Sequence, residues 1–146
     1  MSEFSIDFQA DLLRLMRWRR DVRRFRTGAA ALANFTAANA TALDGYAGEK
    51  ARLYSGLKLS GMQEAPVQLA VFCDEGTDKG AGLGAQTMPE ARRYSVVGAI
   101  TQFWLAARAR GLGLGWVSIL DPDRLSQDLD IPQDWRLVAY LCIGWP

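Results

Sequence analysis

Seven of the fourteen arginines lie between Arg14 and Arg26, and they are densest in Arg19-Arg20-Asp21-Val22-Arg23-Arg24-Phe25-Arg26. A solvated helix face ordinarily mixes lysine with acids, yet none of the three lysines falls in this run. Guanidinium groups present planar, paired donors that match the oxygens of a phosphate or carboxylate. A salt-bridged surface is the competing reading of the same residues. Asp21 is the one acid among them, and a carboxylate surrounded by arginines stays ionised. It is either a structural ion-pair partner or an acceptor fixed beside a bound group that carries exchangeable protons.

Two further features invite chemistry. Gly111-Leu-Gly-Leu-Gly115 has the look of a dinucleotide-binding loop, but that fingerprint follows a strand and opens a helix, and its spacing is G-x-G-x-x-G. Here the glycines follow a helical pattern and enter an extended one. They suit a helix cap and then a backbone segment approached closely by packing or by a ligand. Ser118 stands just beyond, in Trp116-Val-Ser-Ile. The chain contains no histidine, so Ser118 cannot be activated as in a Ser-His-Asp hydrolase. A strand serine with its hydroxyl satisfied locally is the default reading, and spacing alone gives it no role.

The missing histidine also removes His-dependent metal sites and any imidazole base. Cys73 and Cys142 form no CxxC pair and sit in apolar runs, where a buried reduced thiol is expected and no metal site is indicated. With 17 basic and 16 acidic side chains the net charge is +1, which argues against nucleic acid and against an anionic membrane surface. Apolar residues make up 49% and charged residues 23% of 146 residues, the balance of one globular domain over residues 1–146. No apolar stretch is long enough to span a membrane, and the first residues do not read as a signal peptide. A cytoplasmic protein is expected.

These residues need elements to hold them. An amphipathic helix is expected from about Phe8 to Trp18, followed by an alanine-rich stretch from Gly28 to Leu43 and a helical stretch from about Gly48 to Met62. Pro66 closes that stretch and opens the apolar run Val67–Cys73, which has strand character. The glycines and charges from Asp74 to Thr87 predict an exposed loop. From Pro89 to Arg110 the pattern is helical and apolar nearly all round, which predicts a helix at a subunit interface with Phe103 and Trp104 in the contact. Gly111 sits where a C-terminal cap belongs. Trp116–Leu120 and Leu137–Ile143 are the remaining strand candidates. Asp121-Pro122-Asp123 opens a short helix. The class is α+β.

Taken in order, these motifs are similar to one family: Arg19-Arg20-Asp21-Val22-Arg23, Leu57-Lys58-Leu59-x-Gly61, Glu64-Ala65-Pro66-Val67, Met88-Pro89-Glu90 with Tyr94-Ser95-Val96-Val97, Trp104-Leu-Ala-Ala-Arg108 leading to Gly111-Leu-Gly, Gly115-Trp116-Val117-Ser118-Ile119-Leu120, and Val138-Ala-Tyr-Leu-Cys-Ile-Gly-Trp145. The set resembles 5,6-dimethylbenzimidazole synthase, a branch of the nitroreductase superfamily. The resemblance implies a nitroreductase-like α+β fold, with a central mixed sheet flanked by helices, and a homodimer that binds FMN at the subunit interface. It implies that reduced FMN is the substrate and dioxygen the co-substrate. The products are 5,6-dimethylbenzimidazole, the lower ligand of vitamin B12, and erythrose 4-phosphate, and a separate flavin reductase is the expected supplier.

By the same resemblance, Arg19, Arg20, Asp21, Val22, Arg23, Gly115 and Val117 contact FMN, and Asp21 and Ser118 are the catalytic side chains. Compared with the family, a helix, loop and strand are expected to be absent between Thr27 and Gly28, and the family pattern continues beyond Trp145. A general FMN nitroreductase using a nicotinamide cofactor, and a non-catalytic dimerising flavin-binding form, are the alternatives.

Overall fold

The computed structural model describes residues 5–7, 10, 29–55 and 60–146. Three strands form one sheet: β1 (Val67–Asp74), β2 (Gly113–Val117) and β3 (Trp135–Gly144), in the order β1-β3-β2. The last strand in sequence is therefore the central one. Its run Leu137–Ile143 is apolar at successive positions because both of its faces are covered. β1 pairs with β3 through Val67↔Ile143 and Leu69↔Leu141, and β2 through Gly115↔Cys142 and Val117↔Tyr140.

Both pairings are antiparallel, so among the described residues the sheet is antiparallel rather than mixed. The physical reason is the central place of β3. Both edge strands run against it, and the two strands that run parallel to one another are never neighbours.

Among the described residues the fully bounded helices are α1 (Ala29–Leu43), α2 (Gly48–Ser55), α3 (Ser60–Glu64), α4 (Leu83–Thr87), α5 (Ala91–Ala109) and α6 (Pro122–Asp128). Side chains alternate along β3 with the period of a strand. Ala139, Leu141 and Ile143 face α5, where they meet Leu69, Val71, Leu114 and Ile100. Tyr140 and Cys142 face the other way, onto Ala31 and Phe35 of α1, Met62 of α3 and Leu125 of α6. The result is a helix layer on each side of the sheet. Cys73 and Cys142 are buried free thiols, and burial pushes both thiols up from their ordinary ionisation range. No described helix is long and apolar enough to cross a membrane.

Helix ends follow local chemistry. α5 stops in a paired turn, with Gly111 N–H donating to Arg108 O (2.9 Å) and Leu112 N–H to Ala107 O (2.9 Å). That turn needs a left-handed residue, and Gly111 supplies it at φ 75°. α6 opens on Asp121, whose carboxylate accepts from the N–H groups of Asp123 (3.0 Å) and Arg124 (3.1 Å).

Several expectations are redrawn. The second strand runs Gly113–Val117 rather than Trp116–Leu120, because an edge strand accommodates the two glycines and the chain turns at Ser118. The alanine-rich stretch is helix α1. The loop after β1 contains a 3-10 turn at Lys79–Gly82 and then α4. Phe103 and Trp104 are partly buried on the sheet side of α5, while Tyr94, Val97 and Leu105 carry its exposed apolar surface. The helix expected at Phe8–Trp18 falls largely outside the described residues, and the arginine run falls wholly outside them.

Candidate functional site

The site begins with β2, the edge of the sheet, whose outer backbone groups have no strand beside them among the described residues. Leu114 points to the α5 side and is buried. Trp116, two residues on and so on the same face, is exposed. Gly115 and Val117 take the opposite face, against Cys142 and Tyr140.

Gly115 is a glycine that neither its conformation nor its packing among the described residues demands. Its φ is not in the left-handed region, and among the described residues a Cβ built there would meet nothing nearer than Cys142 O at 4.0 Å. Glycine inside a strand costs about 0.5–1 kcal/mol relative to alanine. Its presence therefore suits a surface that another flat body approaches closely.

Ser118 follows directly, at the mouth of the strand, and is exposed. Its carbonyl accepts from Leu120 N–H (3.0 Å), closing a tight turn. Its hydroxyl has no hydrogen-bond partner among the described residues, contrary to the expectation that a strand serine is satisfied locally. Ile119 and Leu120 pack back onto the α1–α6 cluster, so the turn that carries the exposed Ser118 is anchored. The structure thus brings Gly115, Val117 and Ser118 together at one strand end. Arg19, Arg20, Asp21, Val22 and Arg23 lie outside the described residues.

Two polar arrangements escaped sequence reasoning. Asn34 of α1, only 1% exposed, accepts from Asp121 N–H (2.7 Å) through Oδ1 and donates to Asp121 O (2.8 Å) through Nδ2. The local signal was slight, since Asn34 is one of two asparagines in the alanine-rich α1 and nothing in the spacing marks it as the buried one. On the same side of the sheet, Tyr140 Oη donates to Gln68 Oε1 (2.5 Å), and Gln68 Nε2 donates to Met62 O (2.7 Å). Burial, with a smaller contribution from Cys142, pushes the Tyr140 phenol up to about 12.

A third polar group serves the fold. Arg92 donates to the carbonyls of Glu75 (2.5 Å) and Thr77 (2.9 Å), and Arg93 pairs with the Glu75 carboxylate. The hydrogen bond from Arg93 holds that carboxyl below its usual range. These arginines pin the loop after β1 to α5. No group of three or more metal-binding side chains occurs among the described residues. Chemically, the strand end can admit a flat ring beside Gly115 and present one hydroxyl to it as donor or acceptor.

The profile of the nitroreductase family matches residues 19–145. A 5,6-dimethylbenzimidazole synthase of Rhodospirillum rubrum is 48% identical, over 98% of this chain and 85% of that protein. The chain belongs to the nitroreductase family, in its 5,6-dimethylbenzimidazole synthase branch. A second synthase, from Rhodobacter capsulatus, is 41% identical over 92% of this chain and 83% of that protein. Among solved structures, oxidised iodotyrosine deiodinase bound to FMN and 3-iodo-L-tyrosine superimposes with a TM-score of 0.65 over the whole chain and 82% of its own length, at 17% identity. That likeness speaks for the fold, which is the α+β nitroreductase-like one.

The alignments also measure what differs. The match to the R. rubrum relative runs over 180 positions, whereas 98% of this chain is about 143 residues. About 37 positions inside the matched span therefore have no counterpart here, and the R. capsulatus alignment shows a similar excess, 172 positions against about 134 residues.

Proposed function

We propose that this chain acts on reduced FMN and dioxygen to form 5,6-dimethylbenzimidazole and erythrose 4-phosphate. The observation that carries the reading is the open strand end at Gly115–Ser118, in a chain 48% identical to a protein named for that synthesis. A flavin ring fits it: the glycine leaves room for a flat face, and the unpaired edge of β2 offers backbone donors and acceptors for ring heteroatoms. Arg19, Arg20 and Arg23 are assigned to the phosphate and flavin oxygens, where bidentate charge-assisted bonds are strongest. Val22, Gly115 and Val117 line the ring. Asp21 accepts protons beside it, and Ser118 donates or relays one at the reactive edge.

Reduced FMN itself supplies the electrons that activate dioxygen. The protein's share is to orient the ring, keep water from it and move protons at the Asp21 carboxylate and the Ser118 hydroxyl. No step requires an imidazole. Reduced FMN comes from a separate flavin reductase in the cytoplasm.

The working unit is a homodimer. α5 exposes Tyr94, Val97 and Leu105, which with Gly98 and Thr101 follow helical spacing along one stripe. Gly98 lies in the middle of this 19-residue helix, and among the described residues outside the helix's own backbone nothing comes within 4 Å of where its Cβ would stand. Glycine there costs about 1 kcal/mol against alanine, and a close helix from a second copy gives it a purpose.

The missing internal positions favour a second reading, in which the chain holds FMN by its phosphate and fragments little of it. Chemically reduced FMN is mixed with the protein in air, and dimethylbenzimidazole is sought by mass spectrometry. Product above the protein-free control supports the synthase. No product, together with FMN binding that weakens steeply with salt and a much poorer affinity for riboflavin, supports the second reading. Stable yellow protein turning over NADPH unaided would overturn both in favour of a general nitroreductase.

A further inference from the structure

The geometry points to Asn34 as a positioning residue that fixes where Ser118 stands, acting through the backbone of Asp121. The inference rests on the role proposed above for Ser118. Asn34 is a fully buried polar side chain, and both ends of its amide go to one residue 87 positions away. Asp121 is held completely. Its N–H goes to Asn34, its carbonyl accepts both Asn34 and Leu125 N–H (3.1 Å), and its carboxylate caps α6.

Packing alone does not require an amide there. The buried cluster on this side of the sheet is Ala31, Phe35, Met62, Leu125, Tyr140 and Cys142, an apolar layer to which a leucine on α1 would be the ordinary addition. A buried amide is costly unless both its donor and its acceptor are matched. Its polarity therefore specifies which peptide lies against α1, not merely that something does.

From Asp121 back to the sheet are three residues. Leu120 N–H bonds to Ser118 O, Ile119 and Leu120 pack inward, and Val117 is fixed opposite Tyr140. Ser118 is strung between two anchors, the β3 ladder and Asn34. Removing the second leaves the serine tethered to the strand end but frees its direction.

The test places a reporter at the site. In Ser118→Cys protein the new thiol is exposed, while Cys73 and Cys142 are buried, so iodoacetamide reads position 118. Adding Asn34→Leu is expected to change the alkylation rate at least fivefold and to speed hydrogen exchange at the Asp121 amide at least tenfold. Val71→Ala, a core truncation on the α5 side, is expected to leave both within twofold. An unchanged rate and exchange in Asn34→Leu, or equal changes in Val71→Ala, would overturn the inference.

With Ser118 intact, Asn34→Leu is expected to lower dimethylbenzimidazole formation at least tenfold while the Kd for FMN stays within threefold. Equal losses of binding and turnover would also overturn it. If the unsubstituted chain forms no product, the proposed reaction fails, and the thiol and exchange readouts still decide Asn34. Should Asn34→Leu not fold, Asn34→Asp keeps the acceptor, removes the donor and carries the same comparison.

Discussion

Replacing Gly115 separates what the fold needs from what the ligand needs. Among the described residues, a Cβ at this position meets only Cys142 O, at 4.0 Å, an ordinary van der Waals distance. Gly115→Ala should therefore hold the melting temperature or raise it, since alanine in a strand is favoured over glycine by about 0.5–1 kcal/mol. For a ring lying against the strand, the same methyl group is an intrusion. Forcing an extra methyl into a filled space costs about 1–3 kcal/mol. At about 1.4 kcal/mol per tenfold, FMN affinity should fall about fivefold to 150-fold. Gly115→Val should lie at or beyond the upper end. The assay pairs a thermal melt with FMN titration by fluorescence quenching. Inorganic phosphate, which carries no ring, serves as the internal control and should compete equally well in both proteins. Unchanged FMN affinity in Gly115→Val would remove the ring from this strand. A loss of more than about 2 kcal/mol of stability in Gly115→Ala would show instead that the fold demands the glycine.

Ser118→Ala should lower product formation by about 10²–10⁴ while flavin affinity shifts by no more than the roughly 0.5–1.5 kcal/mol of one hydrogen bond; equal losses in both would make the hydroxyl a binding group. Asp21→Asn should keep most FMN binding and abolish benzimidazole formation, and near-normal yield by mass spectrometry would reject its role as proton acceptor. Leu105→Glu, at a residue 59% exposed on α5, should convert a dimer into a monomer by light scattering, whereas a monomeric parent chain would refute the interface. Tyr140→Phe addresses pH. The folded phenol ionises at about 12 against an ordinary 10, so its stabilising contribution is whole below pH 10 and is lost as pH rises toward 12. That loss is about 2–3 kcal/mol, and denaturant melts should show an alkaline decline flatter by that amount in Tyr140→Phe; identical slopes would contradict the burial argument.

Much of the scaffold was legible because its signals are local. Val67–Cys73 and Leu137–Ile143 are apolar runs bounded by turn residues, and they became β1 and the central β3. Gly111 and Asp121-Pro122 marked a helix end and a helix start by their own chemistry. β2 was misplaced by three residues because its glycines carry the signature of a turn, while the edge of a sheet tolerates them. α1 gave little warning, since alanine favours helix without marking a face. Phe103 and Trp104 were placed outward because a helix apolar all round does not say which side meets the sheet. The Asn34–Asp121 clamp joins residues 87 apart, and no local pattern encodes such a pairing. Spacing gave Ser118 no role. That came from the resemblance, and the structure added its exposed place on a fixed turn.

Gly98 and Gly115, two of the glycines with no left-handed φ and no close described neighbour at the Cβ position, explain more together than apart. Gly98 interrupts a 19-residue helix and Gly115 a strand, each against its local preference, and neither has a left-handed φ or a crowded Cβ position. Together they forgo about 1.5–2 kcal/mol, against a total stability of about 5–15 kcal/mol for a typical domain. A sequence shaped for this monomer alone would place alanine at Gly98 and a β-branched residue at Gly115. Departures of this kind concentrate where another body must approach the backbone. Gly98 lies among exposed apolar residues, which suits a second helix. Gly115 lies beside the exposed Ser118 and a strand edge with no partner among the described residues, which suits a polar flat ring. The neighbours of each glycine, rather than the glycine itself, decide which kind of body it admits.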